Sequence, residues 1–327
     1  MHIKLIDANS IGFAQHHAND LRHAGALQTQ AVAGMLQHVR RNLQHDPTVL
    51  NVLIWDGRAQ WRYDLYPTYK SGRHRTVEQR EARRHYELQR PWIERALSYF
   101  PVLQVKHPRG EADDLAWGLS RQLSAQGHLV TVHTSDTDWL QMVNPRVRWL
   151  NARKPSQLVE MDTFHRLSGF ATPAQVAQVK ALMGDASDDI EGVPDVAEKR
   201  AASLLGKYGS LDAVLAAATD FMQFSQEPKF FHSLMLPQWQ DAVKRNLHLV
   251  DLSLGPVLQG SDVELVVGEF DELNLFELFV DLDFRQMQDG FDSWKRALNT
   301  ALAAADVNSV KRAVANVAKS WDRSANV

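Results

Sequence analysis

Acidic residues of this 327-residue sequence are concentrated in three short groups, and these side chains are the ones best suited to chemistry. The groups are Glu111-Ala-Asp-Asp114, Ser135-Asp-Thr-Asp138 and Gly184-Asp-Ala-Ser-Asp-Asp189. Mg²⁺ prefers oxygen ligands, and proteins hold it with a few carboxylates. Two such ions about 4 Å apart can activate water, neutralise a phosphodiester and stabilise its leaving oxygen. The acidic groups therefore indicate metal-assisted phosphodiester hydrolysis.

Spacing within the acidic groups favours shared metal binding, although each group alone also fits a structural role. At a helix entrance, Glu111 and Asp114 share a face, and Asp113 lies about 100° around the axis. Asp185 and Asp188 are three residues apart and could reach one ion from a short turn. Acidic residues also cap helices and turns, which is the simpler interpretation of any single group.

The sequence lacks the residues and motifs that several other kinds of catalysis need. The sequence contains no cysteine, which excludes disulfides, thiolate metal sites and cysteine nucleophiles. It has no phosphate-binding P-loop, no Gly-x-Ser-x-Gly nucleophile turn, no His-Glu-x-x-His zinc helix and no EF-hand calcium loop. Carboxylates remain the candidate catalytic groups.

Short β-branched runs alternate with helix-like stretches in the first half of the chain, which predicts an α/β fold with a mostly parallel central sheet flanked by helices. The runs cover residues 3–6, 49–55, 102–105, 129–133 and 147–150. Acids follow four of them: Asp7, Asp56, Glu111, and the pair Asp136 and Asp138. Because ligands of such sheets bind beyond the carboxyl ends of the strands, we expect these acids to meet at one rim.

The net charge of -3 conceals a basic segment between Arg58 and Arg95. That segment contains ten basic and five acidic residues, a local charge of +5. A basic segment beside acidic pockets suits a polyanion that is processed with bound cations.

Six motifs, in this order, resemble the bacterial and bacteriophage branch of the 5′-3′ exonuclease and flap endonuclease family. They are Leu-Ile-Asp-Ala-Asn (5–9), Trp-Asp-Gly (55–57), Leu-Tyr-Pro-Thr-Tyr-Lys-Ser-Gly-Arg (65–73), Gly-Glu-Ala-Asp-Asp (110–114), Thr-Ser-Asp-Thr-Asp (134–138) and Met-Gly-Asp-Ala-Ser-Asp-Asp-Ile-Glu-Gly-Val-Pro (183–194). The resemblance implies a PIN-like 5′-nuclease fold with a helical helix-hairpin-helix subdomain. It also implies a structure-specific nuclease that acts on DNA with a 5′ end or flap, or on an RNA–DNA hybrid, in replication or repair.

The resemblance assigns the acidic residues to two Mg²⁺ ions, for which Mn²⁺ is expected to substitute. Asp7, Asp56, Glu111 and Asp113 surround one ion, and Asp113 is also counted as catalytic. Asp136, Asp138, Asp185 and Asp188 supply the second ion, and Asp114 lies in the shared or outer shell.

The resemblance further implies a basic helical arch over the site, at about residues 66–95. Lys70 and Arg73 are expected to contact the scissile phosphate as catalytic residues, and Tyr69 to stack on a terminal base. The spacing of three residues would place Lys70 and Arg73 on one helix face. The DNA-binding residues expected along the arch are Tyr69, Lys70, Arg73, Arg75, Arg80, Arg83 and Arg84.

A second DNA contact is implied by the segment from Glu198 onward, Glu-Lys-Arg-Ala-Ala-Ser-Leu-Leu-Gly-Lys-Tyr-Gly-Ser-Leu, which resembles the second helix of the family's helix-hairpin-helix. Asp195 and Ala197 stand where the family usually has glycines, which permit close approach of the backbone to phosphate. We therefore expect weakened duplex binding and leave a K⁺ site at the hairpin open. The residues expected to bind DNA there are Gly192, Val193, Val196, Lys199 and Arg200.

These patterns divide the chain into a metal-binding nuclease domain with the arch (1–160), a helix-hairpin-helix DNA-binding subdomain (161–250) and a C-terminal region that packs back on the nuclease domain (251–327). Two alternatives stay open: a PIN-like or RNase H-like ribonuclease, and a catalytically silent DNA-binding relative. The sequence shows no signal peptide and no run of about 18 apolar residues. We expect a cytoplasmic monomer without membrane contact, with any polymerase partner on a separate chain.

Overall fold

Short strands and helices succeed one another along the protein, whose structure, a computed structural model, describes residues 1–74 and 76–324. The strands are β1 (His2–Asp7), β2 (His23–Ala24), β3 (Leu27–Gln28), β4 (Leu50–Trp55), β5 (Leu103–Lys106), β6 (Leu129–Thr134), β7 (Val147–Asn151), β8 (Leu158–Val159), β9 (Gly184–Asp185), β10 (Ile190–Glu191) and β11 (Glu264–Val267). The α-helices are α1 (Ala8–Ala18), α2 (Gln30–His45), α3 (Gln60–Leu65), α4 (Val77–Leu97), α5 (Ala112–Ala125), α6 (Phe164–Ser168), α7 (Pro173–Met183), α8 (Glu198–Tyr208), α9 (Leu211–Thr219), α10 (Phe221–Phe224), α11 (Pro237–Val250), α12 (Glu272–Asp281), α13 (Arg285–Asp289), α14 (Phe291–Ala304) and α15 (Val307–Ser324). Shorter 3-10 helices cover Ser71–His74, Thr137–Met142, Lys229–Met235 and Gly260–Asp262. Among the described residues, no helix has both the length and the apolar character needed to cross a membrane.

Within residues 1–74 and 76–324, seven strands form the central sheet in the order β11-β5-β4-β1-β6-β7-β8. The five inner strands are parallel, and β11 and β8 pair antiparallel at the two edges. The five β-branched runs of the sequence correspond to these inner strands, so the predicted mostly parallel α/β sheet is confirmed. The edge strands were not predicted.

Two hydrophobic layers cover the two faces of the sheet. One layer contains α5, α7, α8 and α15, which pack with Ile3 and Val52 of the sheet. The other contains α1, α2, α4, α12 and α14, which pack with Ile6 and Leu53. All six positions of β4 are buried, as expected for a parallel strand that is covered on both faces.

A single helix, α4, forms the second half of the basic segment. The Thr76 hydroxyl accepts a hydrogen bond from the Gln79 amide at 3.2 Å within a capping box that fixes the start of the helix. Tyr86, Gln89 and Ile93 recur at helical spacing and are buried. The second half of α4 therefore belongs to the packed body, whereas the residues before Tyr86 are largely exposed.

A tight turn joins α7 to the hairpin that precedes α8. β9 and β10 pair antiparallel, with Asp185 opposite Ile190. Gly184 has φ +78°, and a Cβ atom there would lie 2.4 Å from the amide nitrogen of Gly192. Only glycine fits such a position, and the turn that it permits brings Asp185 next to Lys180 of α7.

The C-terminal residues return to the sheet. β11 pairs with β5 along its whole length, from Glu264 opposite Lys106 to Val267 opposite Leu103. α15 packs along α5, where the Trp321 indole would lie 2.6 Å from a Cβ added at Gly118. Residues beyond 260 thus complete one sheet edge and contribute helices to both layers.

Candidate active site

Asp7 and Asp56 lie at the carboxyl ends of β1 and β4. The Thr134 hydroxyl, at the end of β6, donates to Asp7 Oδ2 at 2.7 Å, and the Ala112 amide, at the start of α5, donates to Asp56 Oδ1 at 2.8 Å. Burial raises the pKa of Asp7 to about 7, aided by the negative charges of Asp56 and Asp136. Carboxylates that raise one another's pKa form a site where a cation is strongly favoured.

The first turn of α5 brings Glu111 and Asp113 to the same rim. Trp139 Nε1 donates to Asp113 Oδ1 at 2.6 Å, and burial, followed by the charges of Asp136 and Glu111, raises the pKa of Asp113. Burial alone would also raise the pKa of Glu111, but Lys70 and Arg62 lower it below its usual value. Lys70 Nζ donates to Glu111 Oε1 at 2.8 Å.

Asp114 lies behind the rim and is paired with Arg62, a buried residue of α3. The guanidinium donates to both carboxylate oxygens, at 2.9 and 2.6 Å. Asp114 Oδ2 also accepts the Glu111 amide at 2.9 Å, which caps α5. These contacts commit both oxygens of Asp114 to Arg62 and to the start of α5, and its predicted place in the shared or outer metal shell stays a prediction. The Arg62 guanidinium also lies 3.3 Å from Glu111, so the same residue helps to hold Glu111 at the rim.

The acids assigned to the second ion form the second acidic group, which is assembled around Lys180. Its Nζ donates to Asp185 Oδ2 at 2.7 Å and also contacts Asp138. Burial lowers the pKa of Lys180, but the charges of Asp138 and Asp185 outweigh it and raise the pKa. The Asp138 amide donates to Asp136 Oδ1 at 2.8 Å, which joins the end of β6 to this group. Sequence reasoning missed Lys180, although a lysine inside an otherwise apolar helix was an available signal.

Lys70 connects the two acidic groups. Its Nζ lies 3.8 Å from Asp188 Oδ2, on the side opposite Glu111, and its amide donates to the Asp188 carbonyl at 2.8 Å. Lys70 has φ +56° and lies before the 3-10 helix Ser71–His74. The expectation that Lys70 and Arg73 share one helix face is therefore wrong, because the bond to Asp188 requires a left-handed turn at Lys70.

Tyr69 is not placed to stack on a base in this conformation. Its side chain is 3% exposed, and its hydroxyl donates to Glu111 Oε2 at 3.1 Å. Tyr63 packs against its ring edge-on, with centroids 5.4 Å apart. The predicted stacking of Tyr69 on a base is therefore not seen in this conformation. Tyr69 instead helps to orient Glu111.

The basic residues of α4 present cations beside the rim. Arg80 and Arg84 are exposed, whereas Arg83 is half-buried, pairs with Glu87 and lies over the Tyr86 ring. The side chain of Arg73 and the whole of residue 75, the predicted DNA-contacting Arg75, lie outside the described residues. The exposed arginines fit the predicted attraction of a polyanion.

The hairpin between β10 and α8 differs from its predicted role. Val193 and Val196 have buried side chains, and their amides donate within the protein, to the carbonyls of Leu182 and Val193. Those two amides therefore cannot bind phosphate in this conformation. Gly192 is packed against the Met183 carbonyl, which explains its need for glycine. Lys199 and Arg200 are exposed, and Arg200 donates to the carbonyl of Asp195.

The departure from glycine at the hairpin affects one position only. Asp195 has φ +65°, in the left-handed region where glycine is favoured. Ala197 has φ -82°, which any residue adopts, so alanine is not strained at that position. Ala197 is the N-cap of α8, and among the described contacts no side chain caps that helix.

The donor set fits a hard divalent cation in its chemistry. All candidate ligands are carboxylate oxygens, and burial, followed by the charge of neighbouring acids, raises the pKa of Asp7, Asp113 and Asp138. Over residues 1–74 and 76–324, no three His, Asp or Glu side chains are already gathered as a complete metal-binding group. Lys70 and Lys180 instead lie between the acids, so metal binding would have to displace them.

Acids and buried cations at the carboxyl rim of a parallel sheet, beside an exposed basic helix, define a nuclease of the metal-dependent α/β class. Residues 2–169 match the model of the 5′-3′ exonuclease N-terminal resolvase-like domain, and residues 171–268 match that of the 5′-3′ exonuclease C-terminal SAM fold. The chain therefore belongs to the 5′-3′ exonuclease family.

Similar proteins include bacterial DNA polymerases. The chain is 29% identical to DNA polymerase I of Bacillus caldotenax, over 85% of this chain and 32% of the polymerase. It is 26% identical to DNA polymerase I of Bacillus subtilis, over 94% of this chain and 34% of the polymerase. The chain thus spans about a third of the length of these curated relatives.

Solved structures with a similar fold include a flap endonuclease and the catalytic core of Rad2. The bacteriophage T5 flap endonuclease, in complex with DNA and metal ions, has a TM-score of 0.63 at 18% identity and covers 92% of this chain and 99% of its own. The catalytic core of Rad2 with a DNA substrate has a TM-score of 0.55 at 15% identity, covering 86% and 87%. The T5 5′-exonuclease has also been solved with divalent zinc ions. The predicted PIN-like fold is confirmed.

Proposed function

We propose that the chain hydrolyses DNA phosphodiesters beside a 5′ end or flap, with two Mg²⁺ ions that Mn²⁺ can replace. The observation that carries this proposal is the junction of two acidic groups at one rim through Lys70, whose Nζ contacts Glu111 and faces Asp188. A cation between two metal-binding groups is placed to stabilise the charge of a phosphate held there. The exposed arginines of α4 supply the attraction for nucleic acid.

Eight carboxylates at the rim would hold the ions. Asp7, Asp56, Glu111 and Asp113 would hold one, and Asp136, Asp138, Asp185 and Asp188 the other. When bound, the ions supply Lewis acidity and lower the pKa of a bound water.

The chain's own residues fix these carboxylates and balance their charge. The Ala112 amide orients Asp56, and the Trp139 indole orients Asp113. Lys70 and Lys180 neutralise acids of both groups, so Mg²⁺ binding competes with each ammonium. A Lys70 side chain released from Glu111 is free to contact the phosphate, which makes its rearrangement part of the proposed reaction.

The biological setting follows from the substrate. DNA with 5′ ends or flaps arises in replication and repair, and the matched polymerases join a region like this chain to a polymerase. We propose that this chain acts as a monomer on ends produced by a polymerase, including RNA–DNA hybrids left by priming.

A gel assay with labelled flap, nicked and single-stranded DNA tests the proposal. We expect cleavage of the flap and nicked DNA in Mg²⁺ and none in EDTA. Asp136→Ala and Asp185→Ala should each abolish turnover while DNA binding in EDTA stays intact or tightens, because an anion that repels phosphate is removed. Asp241→Ala, an exposed acid of α11, is the matched control.

Three outcomes would contradict the proposal. Near-normal cleavage by either Asp variant would refute the metal assignment, and preference for a matched all-RNA flap would favour a ribonuclease. Binding without cleavage of any substrate would favour a silent DNA-binding relative.

A further inference from the structure

Helix α12 is apolar on two opposite faces. Its inner face packs into the core through Leu275, Leu278 and Phe279. On the outer face, Leu273, Phe276 and Val280 recur at i, i+3 and i+7 and are 66%, 37% and 52% exposed. A surface helix normally turns polar residues outward, so an exposed apolar stripe indicates a binding surface.

A groove runs beside this stripe, between α12 and the start of α14. Its volume is about 570 Å³. Leu273, Phe276 and Phe291 form its apolar part, with the Phe276 and Phe291 rings 5.0 Å apart. Glu272 and Asp292 line its edge. An apolar floor with a charged rim is the arrangement found at protein-binding sites.

The surface around the groove is strongly acidic. Residues 269–292, which we call the α12 surface, contain eight acidic residues and one basic residue, a net charge of -7. This charge repels nucleic acid and anionic lipid, and it also repels a second copy of the same surface. A cationic partner remains as the occupant that the charge favours.

The acids that line the groove already bind one ammonium group of the chain itself. Lys295 of α14 places its Nζ 2.6 Å from Glu272 and 3.9 Å from Asp292. An additional lysine or arginine from a partner would find the other acids of the surface, including Glu277 and Asp281, which are exposed on α12.

The α12 surface lies away from the catalytic rim. The Gly268 and Glu269 amides donate to the carbonyls of Val102 and Ser98, just before the amino end of β5. The acids of the active site lie beyond the carboxyl ends of the neighbouring strands. A partner could therefore occupy the α12 surface without blocking access to the acids of the active site.

We propose that the α12 surface binds a basic amphipathic helix of a protein partner. The leucine-sized side chains of such a helix would enter the groove and cover the stripe of Leu273, Phe276 and Val280. Its lysines and arginines would face the acidic residues of the α12 surface. Grooves of this kind commonly take one face of an amphipathic helix.

A synthetic peptide tests this chemistry. The probe is a fluorescein-labelled leucine–lysine peptide whose leucines share one helical face, and its control has the same composition in an order that disperses them. We expect the full chain to bind the amphipathic peptide at least tenfold more tightly than the control peptide. Phe276→Ser combined with Val280→Ser should weaken binding at least tenfold, as expected for central apolar contacts. Leu302→Ser, an exposed apolar residue of α14 outside the surface, should bind as the unaltered chain does.

A second variant tests the charge. Glu277→Lys combined with Asp281→Lys should weaken binding of the amphipathic peptide and reduce its dependence on salt. Unaltered flap cleavage and thermal melting by these variants would show that the fold is kept. Equal binding of both peptides, or unchanged affinity in the Phe276 and Val280 variant, would overturn the proposal. Self-association of the chain that depends on Phe276 would overturn it as well, in favour of a second copy.

Discussion

Lys180 is the buried counter-charge of the second acidic group, between Asp138 and Asp185. Removing one partner of such a buried pair costs about 3–5 kcal/mol, because it leaves charges without compensation. We expect Lys180→Met to lower the free energy of unfolding by about that amount in EDTA. Mg²⁺ should restore part of the loss, since the ion takes over the neutralising role. Urea unfolding in the two buffers measures both effects.

The control for this experiment is Lys244→Met, which removes an exposed lysine of α11. It should change the free energy of unfolding by less than about 0.5 kcal/mol in either buffer. An equal loss for Lys180→Met with and without Mg²⁺ would contradict the competition between Lys180 and metal.

Lys70 lies between both acidic groups, and its loss should affect chemistry more than affinity. Removing one preorganised electrostatic contact to a reacting group commonly lowers the rate by about 10²–10³. We expect Lys70→Ala to lower the single-turnover rate on a flap substrate by that factor while DNA affinity falls less than about tenfold. Arg84→Ala, which removes an exposed charge of α4, should instead weaken binding and leave the saturated rate unchanged. A Lys70→Ala variant that lost only affinity would place Lys70 among the general basic residues.

Residue types and strand ends were enough to predict the acids of the rim, because parallel strands bring their carboxyl ends together. Asp7, Asp56 and Asp136 illustrate this, as each lies at the end of a parallel strand or within two residues of it. The cations could not be predicted in the same way. Arg62 and Lys180 come from helices whose orientation toward the rim depends on packing between distant segments, which local spacing does not encode.

At the scale of elements, the charge of the basic segment obscured its apolar anchors. Tyr86 and Ile93 are seven residues apart and fit an amphipathic helix, yet the surrounding arginines suggested an arch along the entire segment. Burial of Gln89 was not foreseeable, because its Oε1 accepts the Ala31 amide of α2 at 2.8 Å. That contact depends on how α2 and α4 pack.

The loop between β10 and α8 carries a prediction of its own, because Asp195 adopts a left-handed conformation there. Asp195→Gly should raise the free energy of unfolding by about 0.5–1 kcal/mol, since glycine adopts this conformation without strain. It should also tighten binding to duplex-containing substrates, because a carboxylate near phosphate is removed. Thermal melting and fluorescence anisotropy with duplex and single-stranded DNA measure the two effects.

Ala197→Gly is the matched change at the hairpin. Its φ of -82° suits alanine and glycine equally, so stability should change by less than about 0.5 kcal/mol. Weaker or unchanged duplex binding by Asp195→Gly would show that the Asp195 carboxylate does not repel the phosphate backbone.

For the whole molecule, the sequence predicted the parallel strands of the sheet but not the strands at its edges. β11 became a strand because β5 offers it an open edge, and its short sequence carries little signal alone. The placement of α15 depends on the fit of Trp321 against Gly118, residues that are far apart in the sequence. Long-range complementarity of this kind lies beyond periodicity arguments.

Two histidines in contact link the stability of the whole fold to pH. The ring centroids of His38 in α2, which is half-buried, and His133 in β6, which is buried, lie 5.1 Å apart. Burial, followed by the charges of Arg41 and Lys4, lowers the pKa of His38 to about 4. Burial and His38 lower the pKa of His133 well below its ordinary value. Both rings are therefore neutral in the folded protein.

The unfolded chain protonates these histidines below about pH 6.5, so it binds more protons than the folded protein there. The stabilising contribution is complete above pH 6.5 and is lost as the pH falls toward 4. For His38 alone, the loss between pH 7 and pH 5 amounts to about 2 kcal/mol. The raised pKa values of Asp7 and Asp138 give the opposite slope, so the effect must be measured as a difference between variants.

Replacing both histidines, by His38→Leu and His133→Val, should therefore flatten the pH dependence of the free energy of unfolding. Urea unfolding of this double variant and of the unaltered chain, at pH 7 and pH 5, gives the comparison. The double variant should lose less stability on acidification by at least about 2 kcal/mol, whatever its stability at pH 7. His17→Ala, at an exposed histidine of α1, should keep the original dependence. If the double variant and the unaltered chain lost the same free energy between the two pH values, the pair would not be the acid-sensitive element of the fold.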